Sequence, residues 1–193
     1  MAAERQRIHE ALYYNTSTMM LIWGFAYLFI GIAALTWGWS GPGRAVAGSV
    51  LEVAAIAVAV VSLVHSYGVD ARSVRVERAV TLGAMSLIFI AGAIMIVARD
   101  QSAHVIRIGA FGAMIVLMLW VVSGFVMGQD KLRGMVAACL LPTIIIGFVL
   151  PPAYMCWAAI GGGLLGLALV VPVKRFERRR WQLRDMQIGS AGS

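Results

Sequence analysis

Charged side chains are scarce in this chain of 193 residues: 13% are Asp, Glu, Lys or Arg, against roughly 25% in a soluble domain. Apolar residues make up 61%, more than one compact core can bury while leaving a surface fit for water. Cysteine is nearly absent: Cys139 and Cys156 are the only two, with no CxxC spacing. That excludes a disulfide scaffold, a dithiol redox motif and a cysteine-rich zinc site. The three histidines, His9, His65 and His104, are too dispersed for a metal centre. Five prolines and 21 glycines without a repeat exclude a collagen-like or low-complexity chain. The mean hydropathy of +0.85 points to lipid as the main solvent.

What is present is a series of long apolar runs. A bilayer core of ~30 Å is crossed by ~20 helical residues at ~1.5 Å each. Six stretches meet that requirement: 18–39, 45–67, 79–98, 105–128, 134–150 and 153–173. They are long and lack the alternation of a lipid-facing barrel strand, so helices are expected. The first exceeds a typical signal-peptide core and is followed by no small-x-small cleavage site, which makes it an uncleaved span. The expected architecture is therefore an all-α, polytopic membrane protein with six transmembrane helices in a compact bundle. Residues 1–17 form an N-terminal interfacial segment, 18–173 the membrane domain and 174–193 a polybasic tail.

The cations test this threading. Six spans put both termini and the second and fourth loops on one face. Thirteen of the 16 Lys and Arg residues fall there: Arg5, Arg7, Arg72, Arg75, Arg78, Lys131, Arg133, Lys174, Arg175, Arg178, Arg179, Arg180 and Arg184. The other face receives Arg44, Arg99 and Arg107. Basic residues flanking spans favour the cytoplasm, so both termini are expected inside the cell membrane. The net charge of +7 is explained by this bias, and no nucleic-acid-reading motif accompanies it; no nucleic-acid partner is expected.

Each end has a membrane-surface reading. Ile8 and Leu12 share a face of a short interfacial helix, with a solvated tail as the alternative, and Asn15 to Thr18 offer capping oxygens to the entering span. Lys174, Arg175, Arg178, Arg179, Arg180 and Trp181 are candidates for contact with anionic lipid headgroups, beside Phe176 at the same depth.

Inside the apolar runs, Glu52 is the most informative residue. A carboxylate at that depth is costly unless protonated, paired or facing water. Its stripe includes Gly48, Ser49, Ala55, Ile56 and Ala59, mostly small residues that admit a neighbouring helix. Arg107, entering from the same face, is within reach of an ion pair with Glu52; the alternative has Arg107 extending to headgroups and Glu52 neutral. Ser49 and His65 complete the candidate polar site, His65 as a relay or as a polar helix terminus. Pro142 is expected to kink the short fifth span and Pro151-Pro152 to form a tight turn.

Two motif matches carry no chemistry. Gly161-Gly162-Gly163-Leu164-Leu165-Gly166 satisfies GxGxxG but lies inside an apolar run, where Gly162 and Gly166 have the spacing of a helix contact. His9-Glu10 lacks the second histidine of a zinc-protease motif. No catalytic constellation and no cofactor site is legible, so a non-enzymatic role is favoured. Two function classes stand ahead of an intramembrane enzyme. One is a small transporter or channel with Glu52 in or near the pathway. The other is a non-catalytic subunit or scaffold of a larger membrane complex, either one compatible with homo-oligomers.

Overall fold

The computed structural model of the chain describes residues 2–39, 41–97, 118, 121–122, 130–149 and 151–190, with side chains for most of these between Thr16 and Phe176. Over those residues the protein is all-helical and contains no strand. Five helices follow in order: α1 (Ala2–Trp37), α2 (Gly41–His65), α3 (Arg72–Val97), α4 (Asp130–Val149) and α5 (Pro152–Ser190). Four of them contain stretches long and apolar enough to cross a membrane: Thr16–Trp37, Gly41–His65, Arg72–Val97 and Ala153–Phe176. The run 105–128 lies outside the described residues apart from three helical positions, so the described fold accounts for four spanning helices rather than the six expected.

Several boundaries differ from expectation, each because hydropathy registers only the apolar part of a helix. Helix α1 runs without a break from Ala2, so Asn15 to Thr18 sit inside a helix rather than capping one. Helix α3 begins at Arg72, placing Arg72, Arg75 and Arg78 on its opening turns instead of in a loop. Arginine is a good helix former, so polar flanks extend the apolar segment without interrupting it. Helix α4 continues through Pro142, and α5 through Pro172 to Ser190.

The turns are short. Gly38 (φ 69°) and Gly41 (φ 37°) reverse the chain between α1 and α2, a backbone region that glycine enters without a steric penalty. Gly68 (φ 72°) does the same between α2 and α3. There the Val69 amide donates to the Ser66 carbonyl at 3.3 Å, and Arg75 meets Asp70 at 3.4 Å on the exposed rim. Before α5, the Tyr154 amide donates to the Pro151 carbonyl at 2.9 Å.

Helix packing centres on α1, which lies against α2 and α5, while α3 packs on α2 and α4 on α5. Lipid tails are as apolar as leucine, so close backbone approach must supply much of the helix–helix attraction. Glycine provides it. A Cβ on Gly163 of α5 would stand 2.6 Å from the Leu28 amide nitrogen and 2.8 Å from the Gly24 carbonyl oxygen of α1. Gly163 and Gly166 are both buried here while Gly162 is only half-buried, so the contact falls one position along from the GxxxG pair. The opposite faces carry apolar side chains outward: Val53, Ile56, Val60 and Val64 on α2, and Leu87, Ile90 and Ile94 on α3. Spaced three or four apart, they form stripes suited to lipid.

This packing predicts that Gly163→Ala, blocked by backbone atoms, lowers the thermal midpoint of the detergent-solubilised protein, by roughly 1–3 kcal/mol of stability. Gly161→Ala, which meets open space, should leave the midpoint unchanged or raise it.

Candidate functional site

Glu52 sits eleven residues into α2 and thirteen from its end, about 17 Å and 20 Å along the axis. That is close to the middle of the span. Its half-buried side chain lies against α3: a Cβ on Gly92 would stand 2.9 Å from Glu52 Cγ and 2.8 Å from the Gly48 carbonyl. Gly48 reciprocates, since its own Cβ would meet the Gly92 carbonyl at 2.7 Å. On the stripe expected to face protein, Gly48 and Ala55 are buried and Ala59 half-buried, but Ser49 and Ile56 are exposed. Among the described residues no hydrogen bond or ion pair reaches the Glu52 carboxylate.

The other candidates do not gather around it. His65 ends α2 and is exposed, its Nδ1–H donating to the Val61 carbonyl at 2.9 Å. It lies about 20 Å from Glu52 along the helix. Arg107 is outside the described residues. Lys174 and Arg175 are exposed on α5, whereas Phe176 is half-buried against Met20, Val136 and Val173. Arg178, Arg179, Arg180 and Trp181 continue the same helix with their side chains outside the described set.

A second polar site emerges that sequence reasoning did not single out. Among the described residues the buried polar ones are Thr16, Ser17, Ser62, Ser66, Glu77, Thr81 and Arg133, and helix register places all seven at one end of the bundle. Met19 packs with Ala84 in one cluster and Met20 with Val136 in another. Thr16 and Thr81 each stand three residues before the first pair, and Ser17 and Arg133 each three before the second. From the Glu52–Gly92 contact, Ser62 lies ten residues on and Thr81 eleven back, so they share a level. Ser66 and Glu77 are one turn further toward the same end.

At the centre of this layer Arg133 Nη2 donates to Glu77 Oε1 at 2.8 Å, with side-chain exposures of 0% and 5%. The second carboxylate oxygen, Oε2, is buried and meets no donor among the described residues. The pair links α3 to α4, which are not among the closely packed helix pairs, so two long side chains bridge a gap that backbones do not. Arg133 was expected in the fourth loop, one position outside its apolar run, and Glu77, two positions before its own, was assigned no role. The available signal was an acid isolated among Arg72, Arg75 and Arg78, one turn before Thr81 on what proves to be a single helix face.

Compared with protein-family models, curated protein sequences and solved structures, the chain has no match. The class defined by the fold is an all-helical, multi-pass membrane protein.

Removing one partner of a buried ion pair leaves an uncompensated charge in low dielectric. Arg133→Met alone should therefore cost about 3 kcal/mol in a detergent unfolding titration, and Glu77→Leu/Arg133→Met should recover most of that loss.

Proposed function

We propose that the chain is a small transporter or channel for protons or other small cations, with Glu52 in the pathway. The observation that carries this reading is the place of that carboxylate: mid-span, against the glycine-lined α2–α3 seam, without a partner among the described residues. An acid held near the bilayer midplane is costly and marks ion and substrate pathways in membrane proteins. The Gly48–Gly92 approach narrows the seam beside it.

Six spans are part of the proposal. Helix α3 runs away from the Glu77 end and α4 starts at that same end with Arg133. The chain therefore leaves one end of the bundle at Val97 and re-enters α4 at the other. An intervening crossing by the apolar run 105–128 accounts for this. With 134–150 inside α4 as the fifth span, both termini fall on the arginine-rich side, which the charge bias makes cytoplasmic in a cell membrane. The basic turns of α5 from Lys174 onward then meet anionic headgroups. Arg107 belongs to the run 105–128, where it remains a proposed counter-charge for Glu52.

Purified protein in liposomes should carry a cation or proton current that Glu52→Gln abolishes at equal incorporation. Absence of flux from the intact protein, with stoichiometric co-purification of another membrane protein, would favour the subunit reading instead. A tag after Ser193 should resist protease added to intact cells; cleavage there overturns the threading.

A further inference from the structure

The Glu77–Arg133 pair is built poorly for stability alone. A buried ion pair can often be replaced by apolar residues of similar volume without loss, and its best-attested use is to fix register or act as a switch. Here the carboxylate is gripped through one oxygen and Oε2 is left buried without a donor among the described residues. Among the described residues the grip is a contact that ties α3 to α4 at this end, where the two helices are not closely packed. Around it, Thr16, Ser17, Ser62 and Thr81 supply buried hydroxyls at one level. Beyond it Met19, Ala55, Val58, Ala84 and Met85 form an apolar cluster between this layer and Glu52.

We infer that the Glu77–Arg133 pair is the closed gate at the arginine-rich end of the transport path, and that the hydroxyls of Thr16, Ser17, Ser62 and Thr81 line the mouth it shuts. The gate rests on the transport reading, and it adds where the cargo enters and what kind it is. Oxygen ligands from hydroxyls and a carboxylate suit a small hard cation rather than a soft or bulky one. Opening separates two side chains rather than two packed helices, so α4 can move relative to α3 without unpacking the α1–α2–α3 cluster. Once the charges part, the hydroxyl belt accepts water where an apolar belt would exclude it.

The test reads exposure of the mouth directly. A single thiol is placed by Ser62→Cys in a Cys139→Ser/Cys156→Ala background, and the protein in nanodiscs, open on both faces, is reacted with a membrane-impermeant maleimide. The parent should label slowly and Glu77→Gln about tenfold or more faster, as expected when a two-state element shifts toward open. The charge-swapped Glu77→Arg/Arg133→Glu should return to slow labelling, which separates the pair from general fold damage. The apolar Glu77→Leu/Arg133→Met should label slowly, keep its thermal midpoint and pass no current. Glu77→Gln labelling no faster than the parent overturns the gate, and so does a swap as fast as Glu77→Gln. Failure of the transport reading has its own signature, no flux from the parent. The labelling rates then still decide whether this pair closes the mouth or only packs it.

Discussion

A guanidinium and a carboxylate removed from water lose hydration that several kcal/mol of mutual attraction only partly restores, and the arrangement around Arg133 and Glu77 follows from that constraint. The pair survives at full burial because it sits among hydroxyl-bearing residues at the end of the bundle, two to three turns away from its apolar middle. Helices α1, α2 and α3 converge there with small polar side chains, and α4 contributes the cation. Charge thus links α3 to α4, a pair that close backbone packing does not hold together.

Elsewhere glycine performs the equivalent task. Gly163 admits the backbone of α1, and Gly48 and Gly92 admit each other. In lipid, where apolar surface gains little by meeting other apolar surface, such approaches and interhelical polar contacts are the available sources of specificity. The two devices divide the molecule: glycine seams run along the spans, and the ion pair closes one end. Glu52 belongs to the first and Glu77 to the second, about 22 Å apart along α3 if Gly92 marks the level of Glu52.

Much of the fold was legible in advance. Long apolar runs imply helices because no other open structure satisfies its backbone hydrogen bonds in hydrocarbon, and the α1, α2, α3 and α5 runs each correspond to a helix with spanning character. Helix ends were less legible. Arg72 to Arg78 read as a loop because hydropathy averages fall where charge begins, although arginine extends a helix readily. Glu52 was visible since a lone acid inside an apolar run stands out. Glu77 was not, because acids and bases mingle at several span boundaries and sequence alone does not say which of them turn inward.

Composition and periodicity by themselves determined that this protein is helical and belongs in lipid, since both properties follow from the solvent each residue prefers. They also determined where mid-span charge had to be explained. Only the tertiary structure decided which of the many boundary charges is buried, and that Arg133 meets Glu77 across 56 positions of sequence. Such pairing depends on the rotation and register of separate helices, which are set by close contacts between backbones and carry no periodic signature in the chain.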